Sequence, residues 1–364
     1  MTAAYRLPGK GRVDHSRPIR FTFDGRRMTA FAGDTLASAV LANGVHLVGR
    51  SFKYHRPRGV LGAGVEEPNA LVTIDRGVGR VEPNLQASTI EVYDGLVARS
   101  QNRWPSLKFD LGAVNNVISG LIPAGFYYKT FMWPKAGWKA VYEPAIRRAA
   151  GLGLPPKDED PDRYALQYDH CEILIVGAGP AGLAAALAAS EGAGRVILCD
   201  EGAEVGGSLL TDPAAVIDGV DAWLWLERVS AELAAKPNVT VLTRTTAFCY
   251  GSHNMVGLAE RVSDHVSAAS PGTLRQRWRQ VRAGQVILAT GAHERPILFD
   301  GNDRPGVMLA SAARTYLNRY GVRLGHSCVA VTRNDGGYQA AFEMARAGLA
   351  ATIVDVRSSV SDKV

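Results

Sequence analysis

The densest chemistry in the chain lies between residues 172 and 201. Gly177-Ala178-Gly179-Pro180-Ala181-Gly182 follows the apolar run Glu172–Val176, precedes the helical pattern Leu183–Ser190, and is followed by a second strand pattern, Arg195–Asp200. A strand, a glycine-rich turn, a helix and a second strand within ~30 residues form a βαβ unit that can hold the pyrophosphate of a dinucleotide. Each glycine has its own physical reason. Gly177 permits the sharp turn, Gly179 has no Cβ to keep a phosphate from the backbone, and Gly182 lets the helix pack closely on the sheet. The helix N-terminus supplies unpaired N–H groups and positive dipole to the phosphates, with Pro180 and Ala181 in its first turn. Asp200 stands 18 positions after Gly182 and can accept hydrogen bonds from an adenosine ribose; Glu201 is the alternative. The ADP halves of FAD and NAD make the same demands, so these residues fit either.

Two shorter signals narrow the class. Gly206-Gly207-Ser208 follows the second strand, where flavoprotein-type folds place a glycine pair. VILATG, Val286 to Gly291, reads as the return strand of a two-dinucleotide-domain oxidoreductase, with Thr290 and Gly291 at its end. No catalytic acid, base or nucleophile stands out. His293 and Glu294 follow the turn near the expected path of a cofactor, against the plainer reading of a hydrogen-bonded loop pair. Lys53, His55, Arg56 and Arg58 form a cationic cluster able to hold a phosphate, against the plainer reading of a solvated loop.

A second unit starts at Cys328. CVAVT reads as a strand, Gly337–Ala347 as a helix, and ATIVD as a strand ending at Asp355, 18 positions after Gly337. Thr332 and Asn334 replace two of the three glycines, which puts phosphate binding there in doubt because Cβ atoms crowd the turn. One βαβ cannot cover both faces of its own sheet, so the chain is expected to be part of a longer polypeptide.

These sites need elements to position them. Residues 18–23 and 28–32 read as a hairpin about Asp24-Gly25, and Asp34 as the N-cap of a helix closed by Gly44. With the later strand 70–75, this predicts a β-grasp, ferredoxin-like domain over 1–100. Residues 101–165 form an aromatic-rich connecting segment, with Phe126, Tyr127, Tyr128, Phe131, Trp133, Trp138 and Tyr142 expected to pack on a neighbour. PPKDEDPDR, 155–163, reads as a linker. A Rossmann-type, glutathione-reductase-like FAD/NAD(P)-binding domain is expected over 166–325, and an incomplete second nucleotide domain over 326–364. The fold class is α/β.

Composition excludes several classes. At 46% hydrophobic and 21% charged over 364 residues, the chain can bury substantial cores. Four cysteines cannot build a disulfide scaffold, none has metal-like spacing, and a reducing, cytoplasmic setting is expected. The N-terminus has no apolar core of a secretory signal. The 17-residue apolar run 173–189 is broken by Gly and Pro, so no membrane span is expected. Residues 1–150 carry 21 Lys and Arg against 11 Asp and Glu, while 151–364 carry 20 against 24. The basic residues are scattered without a nucleic-acid motif, so nucleic-acid binding is not expected.

Four stretches together resemble the alpha subunits of heterotetrameric sarcosine oxidases: GRSFKYHRPRGVLGAGVEEPNALV (49–72), FYYKTFMWP (126–134), VGAGPAGLAAA (176–186) and LATGAHERPILFDGNDRPGVMLA (288–310). Iron–sulfur relatives of the first domain hold a cluster with C-x₄-C-x₂-C spacing. Those positions here are Leu61, Glu66 and Asn69, so no metal is expected, although Gly62 and Gly64 keep the loop shape. The resemblance implies oxidative demethylation of sarcosine to glycine, with hydrogen peroxide and 5,10-methylenetetrahydrofolate as products. It implies bound NAD in this subunit, FMN at the interface with the beta subunit, and beta, gamma and delta subunits as partners. Tetrahydrofolate would be engaged only through a C-terminal half that this chain lacks. The alternatives are an NAD(P)H–flavin oxidoreductase with FAD on the same glycines, and a non-catalytic scaffold subunit of a related amine dehydrogenase.

Overall fold

Asp24 and Gly25 both take positive φ, 47° and 77°, as a two-residue turn between twisted strands requires. They join β1 (Asp14–Phe23) to β2 (Arg26–Ala32). Alternate residues of β1, Ile19, Phe21 and Phe23, face inward at no more than 9% exposure. Helix α1 (Leu36–Ala42) reads LASAVLA, apolar but for Ser38, and every residue is buried. The N-cap is Thr35, whose side chain accepts from Ser38 N, rather than Asp34. Asp34 is instead drawn to Arg6, 2.6 Å away and equally buried, and to Phe31 N and Ser38 Oγ.

Strands β3 (Leu71–Asp75), β4 (Val81–Gln86) and β5 (Val97–Ser100) complete a five-stranded sheet ordered β2-β1-β5-β3-β4, with β5 parallel to β1. A hairpin, a crossing helix and a final strand parallel to the first define the expected β-grasp. Its core is closed by residues from far down the chain. Leu309, Ala312, Tyr316, Tyr320 and Val322 are buried with α1, Ile74 and Leu96.

The computed structural model describes residues 3–358 except 124, 126–132, 150, 152, 193, 268–269 and 271. The expectation for Phe126, Tyr127, Tyr128 and Phe131 lies outside the described residues, and Trp133 is 84% exposed. The acidic linker is not free chain. Asp162 is buried against Arg80 at 2.8 Å, and a side chain at Gly79 would overlap the Glu159 carbonyl.

The second sheet is built on two long strands, β6 (Arg163–Val176) and β11 (Leu274–Leu288). Between them come β7 (Val196–Cys199), β8 (Val239–Leu242), β9 (Thr245–Tyr250) and β10 (Met255–Arg261). The order β8-β7-β6-β11-β10-β9 places four parallel strands beside an antiparallel pair. Helices α2 (Pro180–Ser190) and α3 (Ala222–Ala235) cover one face, burying Leu183, Ala186, Trp225, Leu226 and Val229 against Ile175 and Leu198. Helix α4 (Ala310–Arg314) and a following turn lead to β12 (Ser327–Thr332), α5 (Gly336–Arg346) and β13 (Ala350–Asp355). Strands β12 and β13 pair in parallel. The fold is therefore a β-grasp domain followed by a Rossmann-type nucleotide-binding domain and a second βαβ unit.

Ion pairs join the basic and acidic halves: Arg12–Glu204, Arg58–Asp303 and Arg80–Asp162. Arg244–Glu91 and Arg275–Glu82 cross between the same halves in the opposite sense. No helix among the described residues is long and apolar enough to cross a membrane.

Candidate functional site

The turn after β6 is set by backbone crowding. Gly177 has φ +100°, and a Cβ there would overlap the Ala289 carbonyl. A Cβ at Gly182 would overlap the Gly177 carbonyl oxygen, so this position admits only glycine. Gly179 is different. It has an ordinary extended backbone, φ −73° and ψ −176°, and the nearest atom to a Cβ there is Gly207 Cα at 4.0 Å. Protein packing therefore asks for glycine at 177 and 182, while the space beside 179 is left open for something else. Pro180 opens α2 at the first helical positions, where its missing N–H is no loss. Ala181 is exposed on the same turn.

The glycine pair is clasped onto this loop. Gly206 N donates to Ala178 O at 2.7 Å, and Gly207 sits at φ +52° with its own Cβ position 2.8 Å from Gly179 Cα. Ala289 N donates to Val176 O, which brings the start of the Ala-Thr-Gly turn against Gly177. Gly207, Ser208, Thr290 and Gly291 are exposed around the opening.

The two acids at the end of β7 divide the work. The Asp200 carboxylate accepts from Ala178 N and Gly202 N, both at 2.7 Å. It is the strut of the glycine loop. No hydrogen bond to the Glu201 carboxylate occurs among the described residues, and Arg261 donates instead to the Glu201 main-chain carbonyl. Burial, then the neighbouring Asp200 charge, raises the Glu201 pKa above its usual 4.5, with Glu66 adding to the shift and Arg261 and His293 opposing it. Arg261 and Glu66 carry no motif. Both come from elements remote in the chain, and only the fold brings them here.

The remaining candidates resolve by their partners. Glu294 accepts from Ala310 N and Ser311 N at the start of α4, so it caps a helix. The cationic loop is engaged with protein partners. Lys53 donates to Pro123 O, His55 Nδ1 lies 2.7 Å from Asp110 Oδ2, Arg56 meets Asn116, and Arg58 pairs with Asp303. Burial pushes the Cys171 thiol up to about 11 and Cys199 to about 12, which makes both poor nucleophiles.

The second unit is closed as a phosphate site. Thr332 Oγ1 bonds across the turn to Asn334 O and accepts from Asn334 N, and its side chain lies against Gly337. Arg357 holds Asp355 in a charged pair that drops its pKa to about 2, leaving that carboxylate engaged.

A glycine loop with an open face, a free helix terminus and an unengaged acid are what a FAD/NAD(P)-binding site requires. The chain belongs to the pyridine nucleotide-disulphide oxidoreductase family, whose model matches residues 171–360. A second model, described as a 2Fe-2S iron-sulfur cluster binding domain, matches residues 16–103.

Among individual proteins, the chain is similar to sarcosine oxidase subunit alpha of Rhizobium meliloti (strain 1021), 57% identical over 98% of this chain and 36% of that one. It is 40% identical to the protein of the same name from Corynebacterium sp. (strain U-96), over 96% of this chain and 32% of that one. The chain thus spans about a third of the length of these relatives. The resemblance drawn from the four stretches therefore holds along the chain. The structure of L-proline dehydrogenase from P. horikoshii superposes with TM-score 0.63 at 20% identity, covering 97% of this chain and 56% of that one. This last likeness is one of fold.

The iron–sulfur match is likewise one of fold. The cysteines are at 171, 199, 249 and 328, none within 16–103, so a thiolate-held cluster does not fit this domain.

Proposed function

We propose that this chain is the dinucleotide-holding part of a sarcosine oxidase alpha subunit, with NAD seated on Gly177–Gly182 and substrate oxidised elsewhere in the complex. The observation that carries the reading is the open space beside Gly179, together with the lack of a poised catalytic acid, base or nucleophile among the described residues. The glycine loop and the N-terminus of α2 would take the pyrophosphate, and Glu201 the adenosine ribose, with Asp200 bracing the loop. NAD, or FAD on the same residues, can accept or donate a hydride. The nearby likeness to sarcosine oxidase subunits supports sarcosine demethylation with hydrogen peroxide and 5,10-methylenetetrahydrofolate as products. By the same likeness, FMN would lie at the interface with the beta subunit, and the gamma and delta subunits would complete the complex.

The alternative, a self-sufficient NAD(P)H–flavin reductase, requires a second nucleotide beside the first. Thr332 fills the turn where that one would sit. The deciding experiment co-expresses the full-length subunit with its partners, identifies the released nucleotides by mass, and measures sarcosine-dependent oxygen uptake. Oxygen uptake with one NAD per alpha subunit supports the reading. NADPH oxidation without sarcosine, with FAD as the released nucleotide, overturns it.

The acid at 201 gives a pH-dependent prediction. Its folded pKa is raised, so the ligand-free fold favours the protonated form. That contribution to stability is present at low pH and is lost as pH rises through the folded pKa. Ribose recognition runs the other way, because the ionised carboxylate is the better acceptor. NAD affinity should therefore fall as pH drops towards and through the raised pKa. Glu201→Gln should flatten that dependence and weaken binding about tenfold or more at neutral pH, as measured by calorimetric titration.

A further inference from the structure

The loop 61–70, where iron–sulfur relatives would wrap their cluster, is filled by two carboxylates. Glu67 is fully buried. Its Oε2 accepts from Leu61 N and Gly62 N at 2.6 and 2.7 Å, and its Oε1 from Asn69 N and Ala70 N at 2.6 and 2.9 Å. Glu66 Oε1 accepts from Ala63 N and Gly64 N at 2.7 and 3.1 Å. The Glu66 side chain lies directly over Gly62 and Gly64. A Cβ at Gly62 would come within 2.6 Å of Glu66 Oε1, and one at Gly64 within 2.7 Å of Oε2.

A carboxylate buried without a cation is ordinarily expensive. Neither Glu66 nor Glu67 has an ion-pair partner among the described residues, and backbone N–H groups supply the compensation as charge-assisted bonds. A ring of converging main-chain N–H groups is an anion-binding concavity of the kind that serves phosphates and iron–sulfur centres. Here the anion belongs to the chain itself.

The shaped loop has a task. Gly62 O accepts from the buried Tyr316 hydroxyl at 2.8 Å, and Leu61 O accepts from Leu309 N at 2.9 Å. Both partners lie in the segment that follows the nucleotide-binding sheet and closes the β-grasp core.

We propose that Glu66 and Glu67 replace an iron–sulfur cluster as the resident anion of loop 61–70, and that the loop so shaped holds the β-grasp domain against the nucleotide-binding domain. Glu67 is thus a positioning residue, acting through the loop on Tyr316 and Leu309. The domain transfers no electrons and works as a spacer of defined shape.

The test is hydrogen exchange, read by mass spectrometry on the full-length protein with its partner subunits. Glu67→Ala empties the nest. Amides of 61–70 should exchange about 100-fold faster. Added formate, at ionic strength matched with chloride, should restore protection in proportion to its concentration. Glu67→Gln keeps the volume but turns an amide N–H₂ onto backbone donors. It should raise exchange at least about tenfold and resist formate rescue. Unchanged exchange in Glu67→Gln, or a Glu67→Ala protein that formate does not protect, overturns the proposal. So does stoichiometric iron and acid-labile sulfide in the purified parent protein. If Glu67→Ala does not accumulate in soluble form, Glu67→Gln decides alone, and wild-type exchange in it overturns the proposal.

Discussion

Gly179→Val in the full-length protein is expected to leave the fold intact and weaken dinucleotide binding by about 100-fold or more, near 3 kcal/mol. The extended backbone at 179 suits a β-branched residue, and the nearest protein atom to the new Cβ is Gly207 Cα at 4.0 Å, which needs no shift. What the valine methyls would meet is a pyrophosphate approaching the loop. Gly182→Ala is the contrasting control. Its methyl would overlap the Gly177 carbonyl oxygen, so helix and strand must separate and stability falls along with binding. Nucleotide released by acid, counted per chain and compared with the near-ultraviolet dichroism of each variant, separates the two cases. Full nucleotide content in Gly179→Val would refute the assignment of the site.

Arg275→Ala should destabilise the protein by about 1.5–3 kcal/mol, because it removes charge-assisted hydrogen bonds from Asp264, which keeps only Gln276, while Glu82 and Asp162 retain Arg76 and Arg80. The Arg275 side chain is 8% exposed, pairs with Glu82 of the β-grasp domain, and lies 2.7 Å from Asp264 and 3.7 Å from Asp162. Burial opposes its charge, but the hydrogen bond to Asp264 and the charges of Glu82 and Asp264 more than offset this and keep the guanidinium protonated. Arg275→Lys supplies one point charge in place of a planar fork and should recover only part of the loss. Urea unfolding of the three proteins at neutral pH measures this. A change under about 0.5 kcal/mol for Arg275→Ala, the ordinary range for surface substitutions, would show that the network holds nothing together.

What the sequence discloses follows from how local each requirement is. Gly177 and Gly182 are legible because a tight strand–helix turn excludes side chains whatever else the chain does. The Asp24-Gly25 hairpin and the largely apolar α1 are legible for similar reasons. That Asp200 braces the glycine loop is not, since both acids satisfy the spacing and only the Ala178 and Gly202 amides distinguish them. The same holds for Asp34 and Thr35, where Arg6, 28 residues upstream, takes the aspartate from the capping position. Strand β6 begins at Arg163, well before the apolar run that announces it, because its first half pairs with β11 more than a hundred residues on. The work of Glu67 leaves no periodic trace, as its partners are main-chain N–H groups that every residue type carries.

Tyr316 and its neighbours bear on how the protein is made. The β-grasp sheet is complete by Ser100, yet Tyr316, Tyr320 and Val322 belong to its core. A ribosome adding about 5–20 residues per second needs roughly 10–40 s to travel from the end of that sheet to Val322. For that interval the nascent domain has its strands but lacks the aromatic plug that seals them. Newly made chains therefore expose an unfinished apolar cavity while the whole nucleotide-binding sheet is being synthesised. Chaperone engagement is most needed in that window, and a ribosome stalled before residue 309 would carry a domain that cannot close.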